Sequence, residues 1–373
     1  MRLALFLLTL LSASAADKWN VAYIHDEDQS SLLLRAIEFP SDQRGIAVGI
    51  LTQKGNPSPV ALITADGGQS WTQIKLKEEP ISLACFTDEV CWISTPKGVW
   101  RSEEGGREWK KISNTKLIMK MQFTSATHGF AAGAPKGAWE TTDGGKTWTL
   151  LPVLKDVKAT TENASFLAVA VQGKYAMIGG NSRPPRRDQS IYPDWMVPTE
   201  ASTRKEWPAM MILLESRDAG KTWSPATSSV FGTLTAVRIR PEGGAAAALF
   251  EYFHSFEIPA EVLLVDFKTG RSQSIFREKT TAITDVVLSP NGGALIAGLE
   301  ATGLRSIPIP QKVRFLETTL RPDSINYLWA KMDVDYRATA RRVSLARKPN
   351  GQYWAITDTG IILRLDREVK SPK

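Results

Sequence analysis

The chain has 373 residues, with 46 Lys and Arg against 39 Asp and Glu and a formal net charge of +7. An excess this mild favours a protein partner with an acidic surface, and it argues against nucleic acid because no aromatic and basic motif accompanies it. The two cysteines and three histidines lack the spacing of metal ligands, and no glycine loop of the phosphate-binding kind occurs. Composition therefore predicts neither a metal site nor a cofactor, and it leaves the oligomeric state open.

Residues 1–15 have the layout of a secretory signal peptide. Arg2 precedes the apolar run 3–11, and the small residues Ala13-Ser14-Ala15 follow it. This run is shorter than the roughly 20 residues of a membrane-spanning helix, and the rest of the chain offers no longer apolar run without charges. We expect cleavage after Ala15, no transmembrane segment in the mature chain, and an exported protein, periplasmic or secreted, with a single domain over residues 16–373.

Strand patterns begin directly after this leader. Residues 18–25 read as an isolated strand, and residues 32–39, 44–52 and 60–65 alternate apolar with other side chains. The third of these segments leads into the glycine-containing sequence TADGGQSW, which ends at Trp71. A turn of this composition between strands indicates a small antiparallel sheet.

That turn recurs three more times. The related sequences are SEEGGREW at 102–109, TTDGGKTW at 141–148 and SRDAGKTW at 216–223. The final tryptophans of the four copies, at 71, 109, 148 and 223, are 38, 39 and 75 residues apart. An interval of this size is that of one four-stranded propeller blade.

A structural role is sufficient to explain the residue types of the repeated turn, and no catalytic role is needed. The Asp accepts hydrogen bonds from nearby backbone amides, the glycines adopt positive φ, and the Trp buries a large ring between sheets. We therefore predict a structural role for the acidic residue and the Trp of each copy, and we assign no catalytic residue. These positions are Asp66, Trp71, Glu104, Trp109, Asp143, Trp148, Asp218 and Trp223.

The two cysteines fall in the second blade. Cys85 and Cys91 lie on predicted strands on either side of the turn 86–90. In an oxidising compartment, two thiols so placed are able to close a small loop, and we expect a disulfide between them.

The doubled interval between the third and fourth turns indicates an insertion. Residues 165–171, 174–180 and 210–216 read as three strands of one blade, whereas 181–209 is rich in Pro, Arg and Trp and does not alternate. So long a connection is typically functional or disordered. Arginine and aromatic residues are typical of protein interfaces, which makes this segment a candidate partner-binding site. Its candidate residues are Arg183, Arg186, Arg187, Tyr192, Trp195 and Trp207.

A second basic cluster lies near the C-terminus. It comprises Arg337, Arg341, Arg342, Arg347 and Lys348, with no acidic residue between them. We assign Arg341 and Arg342 as further candidates for partner binding. A solvated face is the alternative interpretation of both basic segments.

Strand patterns continue after the fourth turn without further copies of the motif. They cover 233–240, 243–253 and 260–267, then 282–289, 293–300 and 304–309, and finally 341–348, 352–358 and 360–366. The total is seven blades, with six or eight as alternatives. The last blade has three strands of its own, so residues 18–25 are expected to supply its fourth strand and close the ring. The predicted fold is an all-β, single propeller of four-stranded blades.

The blade pattern resembles a known family. Residues 33–39, 45–49 and 64–71 match the order Leu-x-x-Val-x-Phe, Gly-x-Ala-Val-Gly and Thr-x-Asp-Gly-Gly-x-x-Trp of the photosystem II stability and assembly factor family. The turns are similar to the Asp-boxes of the bacterial neuraminidase repeat. The resemblance covers about residues 30–226 and implies a seven-bladed, exported, non-enzymatic scaffold for protein binding or assembly.

The alternative is a glycoside hydrolase of the sialidase type that uses the central channel. Such an enzyme needs three arginines around the substrate carboxylate and a Tyr nucleophile activated by Glu. The innermost predicted strands carry four arginines that would face the channel: Arg35, Arg238, Arg240 and Arg342. No Tyr–Glu pair is assigned from the sequence, where the candidates are Tyr252, Tyr327, Tyr336 and Tyr353. The expected outcome is that the protein is not an enzyme.

Overall fold

Seven antiparallel sheets form a ring around a central channel. The structure is a computed structural model that describes residues 17–183, 208–253, 258–290, 292–300, 309–319 and 327–367. The predicted signal peptide lies outside the described residues. So do five of the six candidate residues of the insertion, namely Arg186, Arg187, Tyr192, Trp195 and Trp207.

In blades 1 to 4, four strands follow one another from the channel outward. A separate strand, β1 (Lys18–Ile24), precedes them. Blade 1 comprises β2 (Ser30–Glu38), β3 (Gly45–Gln53), β4 (Asn56–Thr64) and β5 (Thr72–Lys75). Blade 2 comprises β6 (Ser82–Cys85), β7 (Cys91–Thr95), β8 (Gly98–Ser102) and β9 (Lys110–Ser113). Blade 3 comprises β10 (Ile118–Phe123), β11 (Gly129–Gly133), β12 (Gly137–Thr141) and β13 (Thr149–Leu150), followed by a 3-10 turn at Pro152–Asp156. Blade 4 comprises β14 (Ala164–Gln172), β15 (Tyr175–Ser182), β16 (Ala209–Ser216) and β17 (Ser224–Val230).

Blades 5 and 6 follow the same order, and blade 7 combines both ends of the chain. Blade 5 comprises β18 (Gly232–Ile239), β19 (Ala245–Tyr252), β20 (Ala260–Asp266) and β21 (Ser272–Glu278). Blade 6 comprises β22 (Thr281–Leu288), β23 (Gly293–Glu300), β24 (Gln311–Thr319) and β25 (Ala330–Lys331). The short strands β26 (Asp333–Val334) and β27 (Thr339–Ala340) lead to blade 7, which comprises β28 (Val343–Arg347), β29 (Tyr353–Thr357), β30 (Ile361–Asp366) and β1.

The second strand of each blade is covered on both faces by neighbouring blades. In β11, for example, every residue is buried, and its sequence GFAAG is apolar or small throughout. The innermost strands alternate instead, because one face lies on a blade core and the other on the channel. The predicted strand patterns follow from this difference in burial.

The N-terminal strand closes the ring. β1 pairs antiparallel with β30 from Lys18–Asp366 to Ile24–Ile361, and β26 pairs parallel with its outer edge. Trp19 is fully buried and stacks on Phe315 of blade 6, with 3.9 Å between the ring centroids. The predictions of an all-β fold, seven four-stranded blades and closure by this strand are confirmed.

Two strand boundaries differ from the sequence prediction. The third strand of blade 6 is β24, which pairs with β23, whereas residues 304–308 of the predicted strand lie outside the described residues. The predicted insertion 181–209 is shorter at both ends, because Asn181 and Ser182 belong to β15 and Ala209 to β16. Hydrogen bonds between paired strands hold Asn181, Ser182 and Ala209 in the sheet, and amino-acid composition does not predict them.

The ring has two distinguishable faces. We define the upper face as the one where the innermost strands begin and the lower face as the one where they end. Turns between second and third strands lie on the upper face, since the end of β3 pairs with the start of β2. The turns that contain the repeated motif lie on the lower face, since Thr64 at the end of β4 pairs with Gly45 at the start of β3.

Candidate functional site

The repeated turns are held together by their acidic side chains. The Asp66 carboxylate accepts from the amides of Gln69 and Ser70 at 2.9 and 3.0 Å and from the hydroxyls of Thr64 and Ser70 at 2.8 and 2.5 Å. Asp143 and Asp218 accept equivalent bonds. These bonds hold the pKa of Asp66 well below its usual range and lower that of Asp218 to about 2.

Each turn also contacts the preceding blade. A Cβ added to Gly68, Gly106 or Gly220 would lie 2.2, 2.8 or 2.2 Å from a side chain at the start of that blade's second strand. In the third turn, the indole N–H of Trp92 donates to the Gly144 carbonyl at 2.8 Å. The side chains that receive the four turns are Trp354, Ile46, Phe130 and Trp92. These lower-face turns therefore connect blades, and they lie away from the channel.

The second turn departs from this scheme only in its acidic residue. Ser102 accepts from the Gly106 amide at 2.9 Å, as Thr64 does from Gly68, and Trp109 donates to the Gly106 carbonyl at 2.7 Å. Among the described residues, no hydrogen bond joins the Glu104 carboxylate to the turn. In this turn the hydrogen bonds to the backbone come from Ser102 and Trp109, and the acidic side chain makes none among the described residues.

Cys85 and Cys91 form a disulfide that joins β6 to β7. Cys91 is buried, whereas Cys85 borders the channel. This bond ties the innermost strand of the blade to the second strand.

Five innermost strands share an irregularity at the same height. Their pairing with the second strand shifts by one residue, which is the mark of a β-bulge and turns a side chain out of the regular alternation. The displaced residues are Arg35, Met119, Leu167, Thr235 and Thr284. All five line one cavity of about 410 Å³, the upper cavity, which lies at the upper mouth of the channel.

The upper cavity has an apolar side and a polar side. Ile81, Met119 and Leu167, from blades 2 to 4, supply the apolar side. Thr235, Arg342 and Asp358 contribute to the polar side, from blades 5 and 7, and the Asp358 carboxylate is already paired with Arg341. Such a division fits a ligand that is itself partly apolar and partly anionic.

A second space, the lower cavity, has a volume of about 350 Å³ and is lined by the ends of the innermost strands. It shares Arg35, Lys120 and Arg238 with the upper cavity. Its charged lining also includes Glu38 and Arg347. The channel waist is therefore cationic.

Two of the channel arginines are fixed by carboxylates. Arg238 forms an ion pair of 3.0 Å with the buried Asp285. Arg35 is paired with Glu79 and donates to the Pro80 carbonyl at 3.1 Å. Both guanidinium groups are thus oriented before any ligand binds.

The second basic cluster is dispersed by the fold. Arg337 pairs with Asp335 at 2.8 Å and Arg341 with Asp358 at 3.0 Å, so acids from outside the cluster neutralise two of its members. Of the two assigned candidates, Arg342 lines the upper cavity, and Arg341 pairs with Asp358 of the same lining.

Lys348 is separated from that cluster altogether. Its side chain is buried, its ammonium lies 5.1 and 4.8 Å from the ring centroids of Phe39 and Trp354, and it donates to the Gly67 carbonyl at 2.7 Å. It fastens blade 7 to the first repeated turn.

Arg183 is the one insertion candidate that the structure describes. It directly follows β15, whose end pairs with the start of β14, so it lies on the upper face. Its guanidinium carbon stands 4.0 Å from the ring centroid of Phe253. The insertion therefore leaves the ring on the same face as the upper cavity.

The described residues do not assemble the predicted sialidase site. Arg240 lines neither cavity. A Tyr–Glu hydrogen bond that sequence reasoning missed joins Tyr252 to Glu261, but these residues lie on the second and third strands of blade 5. Burial raises the pKa of Tyr252, which is opposite to the activation of a nucleophile.

Metal-ligand clusters and membrane-spanning helices are both absent from the described ranges. No cluster of three or more His, Cys, Asp or Glu side chains suited to a metal ion occurs there. No helix in those ranges has the length and apolar character needed to cross a bilayer.

No protein-family model matches the chain, and no curated protein sequence matches it. Solved structures do resemble it. YCF48 bound to D1 peptide is 15% identical, with 96% of this chain and 98% of that chain covered and a TM-score of 0.60. YCF48 from Cyanidioschyzon merolae is 14% identical, with coverages of 94% and 98% and a TM-score of 0.60. A GH74 xyloglucanase from Xanthomonas campestris is 13% identical, with coverages of 95% and 55% and a TM-score of 0.59. At these identities the likeness defines the class of fold, a single β-propeller.

Proposed function

We propose that this chain is an exported, non-enzymatic scaffold that binds an extended segment of a partner protein in the upper cavity. The observation that carries the proposal is the set of five bulges that turn Arg35, Met119, Leu167, Thr235 and Thr284 into one cavity. Bulges are concentrated next to functional sites, where they re-aim side chains.

The chemistry of the cavity supports an acidic, partly apolar segment. Met119 and Leu167 offer apolar contacts, and Arg342 offers an exposed guanidinium on the opposite side. Arg183, where the insertion begins, lies on this face. YCF48, which is similar in fold, has been solved with a D1 peptide bound.

The hydrolase alternative has weaker support. Arg35 and Arg238 are already engaged by Glu79 and Asp285. The Tyr252–Glu261 pair lies away from the channel lining. The xyloglucanase likeness extends over 55% of that enzyme's chain, so it supports the propeller architecture alone.

The test is selection of short peptides from a random library on the mature protein, followed by affinity measurement. We expect the enriched peptides to combine acidic with apolar residues. Leu167→Asp and Arg342→Glu should each weaken their binding at least about tenfold, the scale of one lost charged or buried contact. Lys54→Glu is the matched control, because Lys54 is an exposed cation at the turn between β3 and β4, on the upper face but outside the cavity.

Unchanged affinity in both cavity variants would contradict the proposal, as would an equal loss in Lys54→Glu. Hydrolysis of a sialoside by the wild-type protein, abolished by Arg342→Glu, would favour the enzyme instead.

A further inference from the structure

The lower cavity contains two opposite charges that do not meet. Glu38 ends β2 of blade 1, and Lys120 lies on β10 of blade 3. Among the described residues, neither side chain has a hydrogen bond or an ion pair. Burial raises the pKa of Glu38 and lowers that of Lys120, and each charge favours the ionised form of the other across the space. Both side chains are half-buried and face the cavity, so each charged group lies there without a close protein partner.

Three other charged side chains of the described residues line the lower cavity. Arg35 and Arg238 already have partners, whereas Arg347 lacks one at its Nε. Arg238 is paired with Asp285, whose carboxylate also accepts from the Leu345 amide at 2.9 Å. The Nε of Arg347 is buried without a hydrogen-bond partner among the described residues. The wall of the cavity thus offers one carboxylate acceptor and several cationic donors.

A ligand with one kind of charge fits this arrangement poorly. A simple anion would satisfy Lys120 but would be repelled by Glu38, and a simple cation would meet the reverse problem. A molecule that carries both an ammonium and a carboxylate would satisfy both. The volume of about 350 Å³ is at the small end of ligand pockets, which suits a compound of few atoms.

We propose that the lower cavity binds a free α-amino acid as a zwitterion, with its ammonium at Glu38 and its carboxylate at Lys120. This site lies below the peptide site of the proposed function and shares Lys120 with its lining, whereas Glu38 lines the lower cavity alone. An internal peptide segment carries neither terminal charge, so the two sites recognise different chemical classes.

The experiment measures binding of each proteinogenic amino acid to the mature protein by thermal shift and calorimetry. The best binder is then compared with its N-acetyl derivative, which lacks the ammonium, and with its amide, which lacks the carboxylate. We expect each derivative to bind at least about tenfold more weakly, as expected when a charged hydrogen bond is lost.

Two variants test the residues. Glu38→Gln and Lys120→Met should each weaken the free amino acid at least about tenfold. Glu242→Gln, an exposed residue of the turn between β18 and β19 on the same face, should leave the affinity unchanged. Circular dichroism verifies the fold of each variant.

The proposal is overturned if no amino acid binds, or if the N-acetyl derivative or the amide binds as tightly as the parent. If a variant fails to fold, the two derivatives still decide the matter on the wild-type protein. Leu167→Asp, which alters the upper cavity and not the lower one, should leave amino-acid binding unaffected, so failure of one proposal is distinguishable from failure of the other.

Discussion

At the scale of single residues, Gly68 connects two blades. Its φ is +88°, and an added Cβ would lie 2.2 Å from Cη2 of Trp354 in the preceding blade. Any side chain at this position would have to adopt a left-handed backbone conformation, and it would also clash with Trp354. Gly55, in the turn between β3 and β4, has a similar φ of +81° but no heavy atom within 4 Å of its added Cβ.

These two glycines give a matched pair of substitutions. Gly55→Ala should lower the free energy of unfolding by about 1 kcal/mol, the cost of the left-handed backbone alone. Gly68→Ala should cost about 1–3 kcal/mol more, because Trp354 must shift to accept the methyl group. Urea unfolding of both variants provides the comparison. Equal losses would show that the contact between blades is not tight.

Side-chain hydrogen bonds were predictable from sequence where both partners lie within one short segment of the chain. The bonds of Asp66 to Gln69 and Ser70 lie within one turn, and the sequence pattern indicates them. The place of Lys348 was not predictable, because Phe39, Gly67 and Trp354, which surround it, come from two blades at opposite ends of the chain.

At the scale of elements, three of the four repeated turns depend on an ionised carboxylate, that of Asp66, Asp143 or Asp218. Asp218 accepts from the Thr222 amide and hydroxyl at 2.9 and 2.6 Å and from the Ser216 hydroxyl at 2.9 Å. These bonds lower its pKa from 3.8 to about 2. A lowered folded-state pKa means that the stabilisation is complete above about pH 4 and is lost as pH falls through about 2.

The predicted consequence is a pH-dependent effect of Asp218→Asn. The variant should be less stable than the wild type at neutral pH, and the difference should shrink between about pH 4 and pH 2. Urea midpoints of both proteins across this range give the measurement. Asp28→Asn, on an exposed turn, is the control for a change of surface charge. A difference independent of pH would mean that the charge of Asp218 does not stabilise the turn.

Strands were predictable where their burial produced a clear alternation. The failure in blade 6 has a specific cause. In β24, only Val313, Phe315 and Leu316 are large and apolar, and Phe315 is buried against Trp19 from the other end of the chain. The more apolar residues 304–309 matched the local pattern better, but no local pattern contains that long-range contact.

At the scale of the whole molecule, the innermost strand patterns predict Arg35, Arg238 and Arg342 at the channel, but they do not predict that Glu38 and Lys120 face the same space. Glu38, Lys120, Arg238 and Arg342 stand on four different blades, and only ring closure brings them to one channel. One signal was available. The bulges appear in the sequence as slips in alternation, as in β2, where buried Leu32 and Leu34 are followed by two adjacent buried residues, Ala36 and Ile37.

Substitution of Trp19 tests how much β1 contributes to closing the ring. Trp19→Ala should lower the free energy of unfolding by about 3–5 kcal/mol, because it removes a fully buried ring that stacks on Phe315. Trp19→Phe should cost much less, since it keeps a ring and removes an indole N–H that has no partner among the described residues. Urea unfolding measures both.

The control for closure is Ile24→Ala at the other end of β1, where the side chain is 38% exposed. Its effect should stay below about 1 kcal/mol, because little apolar surface leaves the core. If Trp19→Ala were as mild as Ile24→Ala, β1 would not be needed to hold the ring closed.

The pairing of β1 with β30 also sets an order of events during synthesis. Asn20 donates to Asp366 at 2.8 Å across this ladder, so the first strand to be made pairs with the last. Blades 1 to 6 find all their main strands within neighbouring sequence, whereas both partners of β1, β26 and β30, are made only after blade 6. Until those strands emerge, the backbone groups of β1 have no ladder partner, which leaves an exposed strand edge during synthesis.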